Sequence, residues 1–132
     1  MRGFTLDIKS FVEKAKRNPE TVARQVSFKL FSAVIKASPV DTGRFRMNWQ
    51  TAGAVTPSGV IDAVDQSGNK AVAMAADYVL KNSDWNEFTL TNNLPYAERL
   101  EYGWSNQAPQ GMVRVNVARF NTLLEEEAAK VR

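Results

Sequence analysis

Arg44 and Arg46 stand two residues apart in an alternating stretch, Arg44-Phe45-Arg46-Met47-Asn48-Trp49-Gln50-Thr51. On a strand, side chains two apart share a face. Both guanidinium groups would then lie beside Asn48 and Gln50, with Phe45, Met47 and Trp49 opposite. Such a pair makes a stripe for phosphate or carboxylate, apt for DNA backbone contact or a salt bridge between subunits. A solvent-facing strand side is the simpler reading. A second group is Tyr96, Arg99, Tyr102 and Trp104, since aromatic and Arg side chains are enriched at the energetic centres of interfaces. Local packing of a short helix would account for that group equally well. Carboxylates offer less. Glu125-Glu126-Glu127 reads as the solvated face of a terminal helix, and Asp62 and Asp65 lack the Glu that completes a calcium loop.

The chain has no Cys and no His. Thiol nucleophiles, zinc sites, Ser-His-Asp triads and Cys-His dyads are therefore excluded, and with them most enzyme classes. The seven Gly form neither a GxxxxGK[ST] nor a GxGxxG pattern. No catalytic residue, metal site or cofactor is expected. At 132 residues with 44% apolar content, the sequence suits a single domain, 1–132, with its own core. No apolar run reaches the ~20 residues that span a bilayer, and Met1 to Thr5 leads into an amphipathic pattern rather than a signal peptide. The expectation is a soluble protein of a reducing compartment, or of a particle assembled there, with no membrane partner. Net charge is +3, split as +6 over residues 1–52 and −3 over residues 53–132. Unlike halves suit contact between copies as well as they suit nucleic acid.

These residues need elements to hold them. Phe4 to Lys16 carries a loose helical stripe. Asn18-Pro19-Glu20 opens a second helix to about Ala37, because Pro39 turns Ser38 away from helical geometry. On that helix Val22, Ala23, Val26, Leu30, Ala33, Val34 and Ala37 form one arc, and Phe28, Phe31 and Ile35 a second. A helix apolar on two sides is either buried in its own fold or shares one side with a partner, which makes Phe28, Phe31 and Ile35 interface candidates. Pro39-Val40-Asp41-Thr42-Gly43 is a turn in which Pro fixes φ, Asp41 or Thr42 bonds nearby backbone, and Gly43 permits a positive φ. It feeds the Arg44–Thr51 strand. Lys70 to Lys81 reads as a helix and Trp85 to Asn92 as a strand. A short helix runs from Leu94-Pro95-Tyr96 to Gly103, and a final helix from about Gln110 to Lys130. The predicted fold is α+β: a small, mostly antiparallel sheet packed against N-terminal and C-terminal helices.

Two stretches also carry a resemblance: Ser38-Pro39-Val40-Asp41-Thr42-Gly43-Arg44-Phe45-Arg46 with Trp49, and Asn92-Asn93-Leu94-Pro95-Tyr96-Ala97-Glu98-Arg99-Leu100-Glu101-Tyr102-Gly103. They resemble the signatures of the neck and tail-completion (minor tail component) proteins of long-tailed double-stranded DNA bacteriophages. That family shows P-V-D-T-G-R-L-R-x-S-W after an N-terminal helix, then P-Y-A-x-x-x-E-x-G before a final helix. Phe45 stands here where Leu is frequent, Gly103-Trp104-Ser105 where Gly-Thr is common, and the Ala54–Lys81 stretch is longer. The resemblance implies a non-enzymatic virion protein of the neck or top of the tail, present in the host cytoplasm during assembly. It implies a homo-oligomeric ring, a hexamer, that docks adjacent head-connector and tail proteins around a channel through which genomic DNA passes without sequence specificity. Within it Asp41–Arg46 would be a shape-critical corner and Tyr96–Trp104 an interaction edge. The alternative is a small nucleic-acid-binding domain using the basic N-terminal half, Arg44 and Arg46 included.

Overall fold

Proline brackets the central helix at both ends, and the rest of the fold is arranged around it. The computed structural model describes residues 4–7, 19–85 and 87–130. In chain order these form β1 (Phe4–Asp7), α1 (Pro19–Ala37), α2 (Arg44–Met47), β2 (Trp49–Ala52), α3 (Asn69–Lys81), β3 (Thr89–Asn92), α4 (Ala97–Glu101) and α5 (Val113–Lys130). The fold is α+β. Its sheet is antiparallel in the order β1-β3-β2, with Leu6 opposite Leu90 and Thr51 opposite Leu90 on the other side.

Helix α1 begins at Pro19, ends before Ser38 and packs against both α3 and α5. Its two apolar arcs are both used within the fold. Val22, Val26, Leu30 and Val34 are buried, and so are Phe31 and Ile35. Phe31 and Ile35 are therefore core residues rather than interface residues, because α3 and α5 between them enclose the helix. Phe28 is half-buried against the same cluster. Each large apolar side chain withdrawn in this way contributes roughly 1.5–3 kcal/mol relative to exposure. Trp49 is the largest buried side chain, and its indole N–H donates to Ser38 Oγ at 2.8 Å, which in turn donates to Val34 O at 2.7 Å. The helix end and the sheet are thus joined by a satisfied polar chain.

Three local expectations are corrected, the first being that the strand expected from Trp85 begins only at Thr89. Phe4–Asp7 is a strand, not the start of a helix; the remainder of that predicted helix lies outside the described residues. All four β3 residues are buried, and a buried central strand needs a backbone partner on each side. β1 supplies one of them, and the Thr5 and Thr91 hydroxyls meet across it at 2.9 Å. Arg44–Met47 is a single helical turn, and the strand begins only at Trp49. Phe45 and Met47 are both buried although residues two apart on a helical turn face different sides, and the turn packs against both β2 and α3. Alternating burial without a strand is the result.

Elsewhere the periodicity holds. Ala71, Ala75 and Val79 form the buried face of α3, while Met74 stays half-exposed. In α5 the helical spacing of Val113, Val117 and Phe120 prevails over the alternating valines.

Candidate functional site

The corner expected at Asp41–Arg46 is built on Gly43, which has φ +95. Its carbonyl accepts from Asp65 N at 2.9 Å and from Met47 N at 3.1 Å, fixing the turn against the loop that precedes α3. Thr42 Oγ1 accepts from Arg44 N at 3.2 Å. Asp41 and Arg44 are exposed, whereas Pro39 is buried. Val40 exchanges two hydrogen bonds with the Gln107 side chain, both 2.9 Å, so the turn is tied to the loop after α4.

Arg46 does not join Arg44 in an anion-binding stripe. Its guanidinium donates to four backbone carbonyls: Lys36 at 2.8 Å, Gln66 at 2.9 Å, Ser38 at 3.0 Å and Ser67 at 3.2 Å. Residues two apart on a helix lie about 200° apart around its axis, since each residue turns 100°. The shared strand face therefore does not exist. Arg46 fastens the C-terminus of α1 to the loop before α3, where carbonyls at a helix end attract a cation.

Two carboxylates whose capping role sequence reasoning missed organise the surroundings. Glu101 is fully buried at the end of α4. Its Oε1 accepts from Met112 N at 2.9 Å and Val113 N at 2.8 Å, and its Oε2 from Arg114 N at 2.8 Å and Arg114 Nε at 3.1 Å. One side chain thereby satisfies the first amides of α5. Gly111 packs so tightly here that a Cβ would collide with the Glu101 carbonyl oxygen, and its φ is +81. Asp65 does the same for α3, accepting from Ala71 N at 3.0 Å and Gly68 N at 3.1 Å, with the Ser67 hydroxyl at 3.2 Å. The available signal was that α3 and α5 begin at Gly68-Asn69 and Met112-Val113 without a side-chain cap of their own. Their amides had to be met from elsewhere.

Burial pushes the Asp65 carboxyl up, but the amide of Ala71, the hydroxyl of Ser67 and the amides of Lys70 and Gly68 together hold it below its ordinary 3.8. A carboxyl with a lowered folded value stabilises the protein above its unfolded value, and that contribution is lost as pH falls through the folded one. Asp65→Asn should therefore melt well below the parent at about pH 6, and the gap should narrow as pH falls below about 4. Thermal melts across that range check this; a gap that stays constant or widens counts against the cap.

These anchors present the aromatic edge. The Tyr96 ring lies 5.9 Å from that of Phe45, which itself meets Trp49 edge-on at 5.7 Å. The Arg99 guanidinium sits 5.0 Å from the Trp104 ring centre, and the Arg114 guanidinium 4.3 Å from that of Tyr102. Trp104 is nevertheless 71% exposed and Tyr102 56%. Sequence reasoning grouped Arg99 with Tyr96, Tyr102 and Trp104; it did not foresee Arg114 under Tyr102. A cleft of about 260 Å³ between Asp41–Phe45, Tyr96, Leu100 and Gln107 brings both resemblance stretches to one surface. Of the candidate residues, Arg44, Tyr96, Arg99, Tyr102 and Trp104 reach the surface here. Phe28, Phe31, Ile35 and Arg46 are engaged inside the fold.

Among the described residues no group of three or more acidic, His or Cys side chains is placed to hold a metal ion. No helix among them is long and apolar enough to cross a membrane. Comparison with family models, with curated proteins and with solved structures finds no match for this chain.

Proposed function

We propose that this chain is a structural, non-enzymatic subunit of a phage neck, completing the tail and joining it to the head as part of a ring around the DNA channel. The observation that carries the reading is the meeting of the two stretches that resemble the neck family. They are some fifty residues apart in sequence, yet Asp41–Phe45 line one cleft with Tyr96 and Leu100, and exposed Tyr102 and Trp104 follow in the same stretch of chain. A rigid corner with outward aromatic side chains suits docking between proteins, where buried Trp, Tyr and Arg dominate the energy. The nucleic-acid alternative has less support, because the Arg46 guanidinium already donates to four backbone carbonyls.

Depleting the chain during phage growth is expected to leave filled heads and finished tails unjoined. Infectious particles formed without it overturn the reading. Trp104→Ala supplied in place of the parent should fold normally, since substitutions at exposed positions usually change stability by less than about 0.5 kcal/mol, yet should join heads to tails poorly. Matching melts by circular dichroism with full joining would remove Trp104 from the docking surface.

A further inference from the structure

A second exposed apolar region lies away from the aromatic edge and shares no residue with it. It is a groove of about 750 Å³ running between β2 and α3, walled by Thr51, Ala52, Val55, Met74 and Tyr78. Val55 is 88% exposed and Met74 47%. Asp77 is its only charged lining residue among those described. β2 is an edge strand of the sheet, and α3 packs against it.

We propose that this groove receives the Tyr102–Trp104 edge of a second copy of the chain, in a head-to-tail contact. The inference deepens, and rests on, the reading of the chain as a self-assembling neck subunit. Its volume falls in the range, about 300–1,000 Å³, of clefts that enclose small organic groups, enough for an indole with a phenol beside it. One charge on each surface is complementary to the other. Arg99 lies against the Trp104 ring, and Asp77 lines the groove. Asp77 now pairs with Lys81 at 2.6 Å, but both side chains are mostly exposed, and exposed pairs of this kind exchange partners at little cost. The guanidinium groups behind Trp104 and Tyr102 hold the rings in place before contact, which lowers the ordering cost of docking. Because the knob and the groove are different surfaces, each copy keeps one of each free, and the contact repeats until a ring closes.

The absence of native Cys makes the contact directly testable. Ala73→Cys, beside the groove, and Asn106→Cys, beside Trp104, are prepared as separate samples and treated with a short bismaleimide. Mixing them is expected to give a crosslinked dimer that neither gives alone. Adding Trp104→Ala to the Asn106→Cys copy, or Met74→Glu to the Ala73→Cys copy, should lower the yield at least tenfold while melts stay unchanged. Asp77→Arg should weaken the crosslink, and Arg99→Asp in the opposing copy should restore it. No product on mixing, a yield indifferent to Trp104→Ala, or a parent chain that sediments as a monomer at every concentration overturns the contact. If crosslinking fails while head–tail joining still requires the chain, the contact is wrong and the neck reading stands. If crosslinking succeeds while joining does not require the chain, the contact stands and the neck reading falls.

Discussion

Glu101→Gln is expected to lower stability by about 3–5 kcal/mol, the range seen when one partner of a buried charged cluster is removed, and Tm by on the order of 10 °C. Four N–H groups converge on the two carboxylate oxygens, from Met112, Val113 and Arg114. That arrangement suits an acceptor and nothing else. The Gln amide is nearly the same size, but its NH₂ would face donors and leave them unpaired in a buried site, at roughly 1–3 kcal/mol for each orphaned group. Arg114→Ala should cost far less, because the Arg114 side chain is half exposed and the three backbone amides would still be met. Equilibrium denaturation of the two variants separates these outcomes. Equal small losses would mean that Glu101 acts through Arg114 alone and not as the cap of α5. The same contrast bears on function. The Arg114 guanidinium stacks on Tyr102 and donates to the Glu101 carbonyl at 2.9 Å, so the cap and the aromatic edge are held by one side chain.

What the sequence discloses depends on whether a residue's partner is near in the chain. Helix α1 is bounded as expected because Pro19 and Pro39 act on their immediate neighbours. The positive φ of Gly43 follows from the Pro-to-Gly turn in the same way. The Phe4–Asp7 segment misleads because its conformation is decided by β3, over eighty residues away. Arg44–Met47 misleads for another reason. Burial on two sides of a single helical turn imitates the alternation of a strand, and nothing local separates the two. The surface residues were legible as a cluster, since Tyr96, Arg99, Tyr102 and Trp104 lie within one turn and one loop. Their supports were not, because Glu101 reaches forward eleven to thirteen residues and Arg46 reaches both back to Lys36 and forward to Ser67.

Gly43→Val should be the most damaging single change at the corner. The residue has φ +95, a region that a β-branched side chain almost never enters. A Cβ there would also lie 2.5 Å from Gln66 N and 2.8 Å from both Asp65 N and Asp65 C. These are backbone atoms, so no side chain can rotate away to make room. Moving them breaks the Asp65 N to Gly43 O bond and displaces the carboxylate that caps α3. Backbone strain alone costs about 1–3 kcal/mol, and forced overpacking a similar amount, so a total of about 4 kcal/mol is expected. Gly43→Asn distinguishes the two causes. Asn tolerates the left-handed region better than Val or Ala does, yet it carries the same Cβ. If the collision dominates, Gly43→Asn should be nearly as unstable as Gly43→Ala; if strain dominates, it should melt clearly higher. Either way the cleft shared by Asp41–Phe45 and Tyr96 should open, and Tyr96 should become more accessible to solvent. Melting temperatures of all three variants equal to that of the parent would exclude the corner as a constraint on the surface that Trp104 and Tyr102 present.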